Sequence, residues 1–326
     1  MLYPIVFKPI LKNIIWGGSD ICPFKGISPV VCGVGESWEL SHVKDNYSIV
    51  DNGPLEGMSI DDLIGAYGER LVGRKVIERF GSTFPLLIKF IDARDNLSVQ
   101  VHPGDTLAKA RHNSFGKTEM WYVIKAAPDA ALYSGFSTQI DKEEYIRRVS
   151  DNTVMDVLQR YTVREGDVFF LPAGRVHAIG SGCFIAEIQQ TSDITYRIYD
   201  YDRKDAAGNG RQLHTELAKD AIDFTMKDDY RTYYQDIKDA PVTLAHCPYF
   251  TTNLLDLKNQ MARDLSSTDS FTVYICVDGQ ASLADNRGSR LTLRRGHTAL
   301  IPADTARITL HPQPTVKLIE ARITTD

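Results

Sequence analysis

The amino-acid sequence predicts a mainly β protein in which two barrel-like units follow one another along the chain. Short apolar segments bounded by Gly, Pro, Asp or Asn recur over residues 84–190, and part of this pattern returns near the C-terminus. Few segments show helical spacing. The chain has 326 residues, which is long for one hydrophobic core and independently favours two units.

The predicted strands are short segments rich in β-branched or aromatic residues. They are FPLLIKFID (84–92), LSVQVH (97–102), EMWYVIKA (119–126), DVFFLPA (167–173) and CFIAEIQQ (183–190). Two stretches predict helices instead. Residues 59–73 begin with a capping serine and acidic residues in the first turn, and residues 138–161 have the spacing of two short helices.

An internal repeat links the two units. Residues 163–177 (VREGDVFFLPAGRVH) align without a gap with residues 293–307 (LRRGHTALIPADTAR), and EMWYVI (119–124) aligns with FTVYIC (271–276). Between these anchors the first copy is longer by 22 residues (44 against 22), about the length of the helical stretch, which we therefore interpret as an insertion. A strand, a turn with the pattern G-[DH]-x-x-x-[LI]-P-A and a second strand are typical of a jelly-roll or cupin half-barrel.

The repeat distinguishes positions that the fold requires from positions that could carry out chemistry. In this alignment His177 corresponds to Arg307, and Glu119 corresponds to Phe271. The second copy thus folds without a histidine or a glutamate at these points. We expect the two polar residues of the first copy to serve chemistry.

The segment SVQVHPGD (98–105) supplies two further polar residues. Gln100 and His102 are two apart, so on a strand they share one face. With Glu119 and His177 they form a plausible ligand set for a divalent metal: zinc first, with cobalt, manganese or iron as alternatives. A lone strand histidine is more often structural, but two histidines and a glutamate on three strands favour a metal. Coordination positions left open for water or substrate are typical of a catalytic site.

Four charged residues near this set are candidates for handling an anionic substrate. Lys89 lies within an apolar strand, where burial is costly unless the charge is paired; the alternative is an edge-strand lysine that reaches water. Lys117 lies two residues before Glu119. Arg197 and Asp193 lie in SDITYRIYDYDR (192–203), either as ends of a salt-bridged strand or as a cation and an acid–base group at the site.

Composition excludes several classes of function. The net charge of -5 and the absence of a long Lys/Arg run argue against a nucleic-acid partner. No apolar stretch approaches the roughly 20 residues of a membrane-spanning helix, and we find no signal peptide. The five cysteines include no CxxC pair, which argues against disulfides or a thiolate zinc site and favours a cytoplasmic location.

Five motifs in order resemble type I phosphomannose isomerases, and more narrowly their short bacterial form. They are GESWELS (35–41), SVQVHPGD (98–105), GKTEMWYVI (116–124), FFLPAGRVHAIGSG (169–182) and IAEIQQTSDITYRIYDYDR (185–203). The resemblance is strong from Trp16 to Arg203 and weak in the C-terminal part. The large helical domain of longer members is absent.

The resemblance implies a zinc-dependent cupin enzyme that interconverts mannose 6-phosphate and fructose 6-phosphate. It places one Zn²⁺ per chain on His102, Glu119 and His177, with Gln100 as a fourth ligand in many members. The arginine of the family's TYR motif corresponds to Arg197. The family's GKxE lysine corresponds to Lys117, and its strand lysine to Lys89.

The polar, proline-punctuated stretch at 225–245 predicts a domain boundary, and the resemblance implies a mechanism. We expect a catalytic cupin domain over residues 1–235 and a metal-free cupin-like domain over residues 236–326. A base moves a proton from C2 to C1 through a cis-enediol; Lys117, Asp193 and a metal-bound water remain candidates. Arg197 stabilises the enediolate or guides the proton, and Lys89 or Lys117 neutralises the phosphate or helps to open the sugar ring.

Two alternatives remain: a different metallo-cupin such as an oxygenase, or a non-catalytic sugar-phosphate-binding protein. Oxygenase sites favour an H-x-H pair, whereas this chain has Gln100-x-His102. The sequence gives no expectation about the oligomeric state.

Overall fold

The computed structural model describes residues 1–204 and 208–325, and over these residues the chain is mainly β, as the sequence predicts. Within these ranges, no helix combines the length and apolar character that a membrane crossing requires. The strands up to residue 235 are β1 (Ile5–Val6), β2 (Ile10–Gly18), β3 (Val34–Leu40), β4 (His42–Val43), β5 (Asn46–Tyr47), β6 (Leu86–Ala93), β7 (Val99–Val101), β8 (Glu119–Ala126), β9 (Ala131–Phe136), β10 (Leu158–Thr162), β11 (Val168–Leu171), β12 (His177–Ile179), β13 (Cys183–Gln190), β14 (Tyr196–Tyr199) and β15 (Arg231–Thr232).

The remaining strands follow without an intervening helix. They are β16 (Pro241–His246), β17 (Thr251–Leu257), β18 (Met261–Asp264), β19 (Thr272–Asp285), β20 (Arg290–Arg294), β21 (Thr298–Ile301) and β22 (Arg307–Arg322). The described helices are α1 (Ile21–Lys25), α2 (Ile60–Tyr67), α3 (Glu69–Val72), α4 (Arg74–Phe80), α5 (Asp105–His112), α6 (Lys142–Ser150) and α7 (Thr215–Ala221), with 3₁₀ turns at Gly53–Leu55 and Val154–Val157.

Two large antiparallel sheets and the short pair of β4 and β5 form the first part of the molecule. One has the strand order β10-β9-β12-β7-β14, and the other has the order β15-β11-β8-β13-β6-β2-β3. A single buried cluster takes Leu132 and Ile179 from the first sheet and Trp121, Phe169 and Ile185 from the second. The two sheets therefore pack face to face around a shared interior.

The second part is one sheet that bends around its own core. Its strand order is β1-β21-β19-β22-β17-β16, while β18 and β20 pair with the far portions of β22 and β19. The pairing of β19 with β22 shifts register at Cys276/Asp278 and Gly279/Ala281, and such bulges bend strands. Gly279 has a φ of 72°, and a Cβ there would lie 2.2 Å from the carbonyl oxygen of Thr315, so only glycine fits this bend.

Both predicted helical stretches differ from expectation in detail. Ser59 caps α2 with a reciprocal capping box to Asp62, as predicted, but the stretch is broken into α2 and α3 at Gly68, whose φ of 48° and ψ of -123° are not helical. The prediction of two short helices over residues 138–161 is wrong at its end. After α6 the chain makes only a 3₁₀ turn and then enters β10, because its residues pair with β9.

The repeat is visible in the strands, but the predicted register is wrong by one residue on the upstream side. Glu119 lies opposite Leu171, whereas Ile301, the counterpart of Leu171, lies opposite Thr272. Phe271 points instead into the core between the two parts. A slip of one residue reverses the face of a strand, so Thr272 is the interior counterpart of Glu119.

A similar correction applies to the second ligand position. Arg307 is exposed at the start of β22, and its neighbour Ile308 points into the core of the second part. Neither Thr272 nor Ile308 is a strong metal ligand. With the corrected register, the second copy therefore still lacks ligands at the positions of Glu119 and His177.

One hydrophobic core joins the two parts. The ring centroids of Phe84 and Phe271 are 4.5 Å apart, and both side chains are fully buried. In addition, the N-terminal strand β1 pairs with β21, with Ile5 opposite Leu300. The first residues of the chain therefore complete the C-terminal sheet.

Candidate metal centre and surrounding cleft

Three potential metal ligands meet in the interior of the first part. His102 follows β7, Glu119 opens β8 and His177 opens β12. One ligand atom from each lies within 4.8 Å of the others, and all three residues are buried. The distances from Nε2 to the nearer carboxylate oxygen of Glu119 are 3.3 Å for His102 and 3.5 Å for His177. The structure thus brings together the three residues that the sequence predicts as principal ligands.

Backbone carbonyls orient both imidazole rings. Nδ1 of His102 is 2.9 Å from the carbonyl oxygen of Ile194, and Nδ1 of His177 is 2.8 Å from that of Arg175. A ring nitrogen beside a carbonyl oxygen must donate, so the proton is on Nδ1 in each ring. Both Nε2 atoms are consequently unprotonated and face Glu119, as in histidines that ligate metals.

The ligand atoms lack the partners that buried polar atoms normally have. Among the described residues, Nε2 of His102 and both carboxylate oxygens of Glu119 make no hydrogen bond although they are buried. Such groups are rare in folded proteins and indicate an ion or water. Two imidazoles and a carboxylate fit a divalent transition metal.

Gln100 lies beside this cluster. Its Nε2 is 3.3 Å from Nε2 of His177, and rotating the side-chain amide by half a turn exchanges Nε2 with the carbonyl oxygen. The same position therefore offers an oxygen to a metal. Gln100 also lies opposite His177 on one side and Arg197 on the other, which places these three residues in one row across neighbouring strands.

Burial and charge prepare the cluster for a cation. Burial, reinforced by the charge of Lys117, lowers the pKa of His102 to about 3, and burial also lowers the pKa of His177. Burial alone would raise the pKa of Glu119, but Lys117 and His102 oppose it and hold that pKa well below its usual range. At neutral pH the site offers two neutral imidazoles and one carboxylate.

Lys89 and Lys117 both lie beside acids. Nζ of Lys117 is 3.1 Å from Glu119, and Nζ of Lys89 is 3.3 Å from Glu187 and 3.7 Å from Glu36. The alternative of an edge-strand lysine that reaches water is wrong for Lys89. Its strand, β6, is flanked by β13 and β3, and its side chain is only 8% exposed. Burial alone would lower the pKa of Lys89. The two glutamates outweigh this effect and raise the pKa above its usual value, so Lys89 stays charged.

A second row of side chains faces the first across the interior. Trp121, Glu187, Lys89 and Trp38 lie opposite one another on β8, β13, β6 and β3. Nε1 of Trp121 donates to Glu187 at 2.8 Å, and Nζ of Lys89 is 5.2 Å from the ring centroid of Trp38. A hydrogen bond and a cation–π contact therefore fix the wall opposite Gln100 and Arg197.

A cleft of about 360 Å³ opens between the two rows. Asp193, exposed, and Arg197, half-buried, line it together with Lys89, Lys117 and Gln100. The structure thus gathers all the predicted charged residues around one cleft beside the ligand cluster. Two tryptophans, Trp16 and Trp38, provide apolar surface in the same cleft.

Sequence reasoning missed several residues of the site, chiefly Glu36, Glu187 and Arg211, which all line the cleft. Glu187 had a usable signal, because an acid in the apolar strand CFIAEIQQ requires a partner as much as Lys89 does. Arg211 had none, since it lies in a polar segment far along the chain from the ligands.

Comparisons with known proteins agree with this geometry. The family model for the catalytic domain of type I phosphomannose isomerase matches residues 5–123, and the model for the cupin domain of mannose-6-phosphate isomerase matches residues 241–320. The chain is 35% identical over 283 residues to mannose-6-phosphate isomerase ManA of Bacillus subtilis, covering 86% of this chain and 87% of that protein. It is 32% identical to mannose-6-phosphate isomerase of Streptococcus mutans, covering 93% of each.

Solved structures show the same relationship. The crystal structure of mannose 6-phosphate isomerase from Bacillus subtilis superposes with a TM-score of 0.87 at 29% identity, covering 98% of this chain and 99% of that one. A putative mannosephosphate isomerase from Archaeoglobus fulgidus, at 22% identity and a TM-score of 0.81 over 99% of each chain, shares the fold. The chain belongs to the type I mannose-6-phosphate isomerase family.

Proposed function

We propose that this protein is a metal-dependent aldose–ketose isomerase that interconverts D-mannose 6-phosphate and D-fructose 6-phosphate. The observation that carries the proposal is the buried cluster of His102, Glu119 and His177 beside a cleft lined by lysines and arginines. Among the described residues, Nε2 of His102 and both Glu119 oxygens make no hydrogen bond. Relatives that match most of the chain are named for this activity.

The cofactor we propose is one Zn²⁺ per chain, held by His102, Glu119 and His177 with Gln100 as a fourth ligand through its amide oxygen. Nitrogen and carboxylate donors without a thiolate suit zinc in a catalytic site. A bound divalent ion supplies positive charge near C1 and C2 of the open-chain sugar, which lowers the cost of removing the proton from C2.

The protein's own residues carry the proton transfer through a cis-enediol. Lys117 and Asp193 are the two side chains proposed to move the proton between C2 and C1. Lys117 lies next to a ligand, whereas Asp193 is exposed at the cleft. Arg197 lies opposite Gln100 on the neighbouring strand, lines the cleft and is proposed to stabilise the enediolate. Ring opening falls to Lys89 or Lys117.

The wider proposals follow from the same features. All five cysteines are free thiols, as a reducing cytoplasm would keep them, and the substrate rather than a nucleic acid is the expected partner. We also propose the division into a catalytic domain over 1–235 and a metal-free domain over 236–326. The uninterrupted run of strands from β16 onward supports the boundary.

Conversion of mannose 6-phosphate to fructose 6-phosphate by the purified protein tests the proposal, measured before chelation, after chelation and after zinc is restored. We expect activity to disappear with the chelator and return with zinc. No conversion under any divalent metal would refute the isomerase. Iron content combined with oxygen uptake would point to an oxygenase instead.

A further inference from the structure

The lysines of the cleft are already neutralised by carboxylates. Lys89 contacts both Glu36 and Glu187, and Lys117 contacts Glu119. A phosphate group brings about two negative charges at neutral pH and binds best to cations that no carboxylate has claimed. The two lysines are therefore poor candidates for holding it.

The arginines at the cleft carry more positive charge than the acid beside them neutralises. Within residues 1–204 and 208–325, Arg197 forms no ion pair with a carboxylate, and its Nε is buried without a hydrogen-bond partner. Arg211 lines the same cleft and is 33% exposed. It shares the single carboxylate of Asp200 with Arg203, so two guanidinium groups face one acid and leave a net positive charge.

The Asp200 carboxylate holds Arg211 in a fixed position. It accepts hydrogen bonds from Nε of Arg211 at 2.7 Å and from Nη2 at 2.5 Å, and the oxygen that accepts from this Nη2 also accepts from Nη2 of Arg203 at 2.5 Å. The side chain of Asp200 is only 5% exposed. Two donors of Arg211 face the acid, and among the described residues its Nη1 makes no hydrogen bond, which leaves it for a ligand.

The backbone around this acid is also constrained. Tyr201 and Asp202 both have positive φ values, 57° and 51°, although neither is glycine. Arg203 ties the turn to the barrel by donating to the carbonyl oxygen of Asn96 at 2.5 Å. Unfavourable backbone conformations that persist under such constraints are concentrated at ligand-binding positions.

We propose that Arg211, positioned by Asp200, binds the 6-phosphate of the substrate and sets the preference for phosphorylated over free sugars. This inference rests on the proposed function. Reaction at C1 and C2 places that end of the open-chain sugar at the metal ligands. C6 then lies at the far end of the sugar, away from the ligands, and Arg211 lines the same cleft. A guanidinium with a free edge is well suited to phosphate oxygens.

Steady-state kinetics of the zinc-loaded Arg211→Gln and Arg211→Lys variants test the proposal. For Arg211→Gln we expect KM for mannose 6-phosphate to rise about tenfold or more while kcat changes less than about threefold, since a lost ground-state contact appears in KM. The KM of Arg211→Lys should lie between those of wild type and Arg211→Gln, because lysine keeps the charge but loses the planar geometry. Arg70→Gln is the matched control, since it removes another Arg–Asp pair, with Asp304, outside the cleft.

A second measurement keeps the inference separate from the isomerase proposal. Inorganic phosphate binding to wild type and variants by calorimetry should weaken about tenfold in Arg211→Gln and stay unchanged in Arg70→Gln. If wild type binds phosphate in this way without isomerising the sugar, the isomerase fails and the phosphate site stands. Unchanged KM and unchanged phosphate affinity in a folded Arg211→Gln protein would overturn the inference, as would an equal loss of activity on free mannose.

Discussion

Glu187 and Glu320 occupy equivalent positions in the two halves of the chain. Glu187 lies opposite Trp121 on the neighbouring strand, and Glu320 lies opposite Tyr274. In each pair the aromatic side chain donates a hydrogen bond to the carboxylate, at 2.8 Å and 3.0 Å. The first glutamate faces Lys89 in the cleft, whereas the second has no metal cluster near it among the described residues.

Substituting the two glutamates should therefore have different effects. Glu320 is buried and accepts from Arg263, Asn253 and Tyr274, so Glu320→Gln removes the charge that pairs with Arg263. We expect a loss of about 3 kcal/mol in the free energy of unfolding, with turnover per folded molecule unchanged. Glu187→Gln should reduce turnover as well, since this side chain lines the cleft. Urea unfolding and kinetics of both variants measure the difference. A Glu320→Gln protein that loses as much turnover as Glu187→Gln would contradict this expectation.

Lys89→Met should destabilise the protein and inactivate it. The substitution leaves Glu36 and Glu187 without their cation in a buried region, which typically costs about 3–5 kcal/mol in the free energy of unfolding. Lys12→Met is the matched control, because Lys12 contacts the same Trp38 ring, at 4.8 Å from its centroid, and has no ion pair with an acid among the described residues. Chemical denaturation measures the free energy of unfolding of both variants and of wild type. A Lys89→Met protein as stable as wild type would show that the ion pairs contribute little.

Removing a histidine ligand should remove the metal. We expect His102→Ala and His177→Ala to retain far less than one zinc per chain and to lose metal-dependent turnover, because two ligands remain from the buried cluster. Elemental analysis of the purified proteins measures the metal directly. His311→Ala, on β22 of the second part, is the control and should keep full zinc and activity. Full activity in metal-free His102→Ala protein would contradict the site.

The strands were predictable where apolar runs end abruptly. The predicted bounds of EMWYVIKA (119–126) and CFIAEIQQ (183–190) are those of β8 and β13. Glu119, His102 and His177 were predictable for a related reason. Polar side chains on the inner face of a barrel need a chemical explanation, and the second copy lacks Glu119 and His177 at the aligned positions.

Other features depend on tertiary structure that a single sequence does not encode locally. The alignment of Glu119 with Phe271 ignored the face of each strand, and only strand pairing shows that Thr272 points inward. Arg211 reaches the cleft through its contacts with Asp200, eleven residues earlier. Such a contact leaves no periodic pattern in the sequence.

The metal-free protein should lose stability in mild acid. Burial, with Lys117, lowers the pKa of His102 to about 3, and burial lowers that of His177, whereas unfolded histidine has a pKa of about 6.5. Below pH 6.5 the unfolded chain binds protons that the folded protein excludes. The free energy of unfolding therefore falls as the pH falls, by up to about 1.4 kcal/mol per pH unit for each histidine.

Urea unfolding of chelated protein at a series of pH values measures this slope. In His102→Ala the slope should be smaller, because one of the two depressed histidines is gone. A wild-type slope equal to that of His102→Ala would show that His102 has the same pKa in the folded and the unfolded protein.

Residues 1–235 should not fold independently, although they contain the whole candidate site. Truncation after residue 235 removes β21, the partner of β1, and exposes the apolar face on which Phe84 packs against Phe271. We expect residues 1–235 to aggregate or to bind a hydrophobic dye, since large exposed apolar surfaces drive association. Co-expression with residues 236–326 should restore a soluble complex with zinc and activity, because the missing core residues are supplied in trans. A monomeric 1–235 fragment that unfolds cooperatively and retains zinc would show that the shared core is dispensable, and that the C-terminal part serves a purpose other than supporting the site.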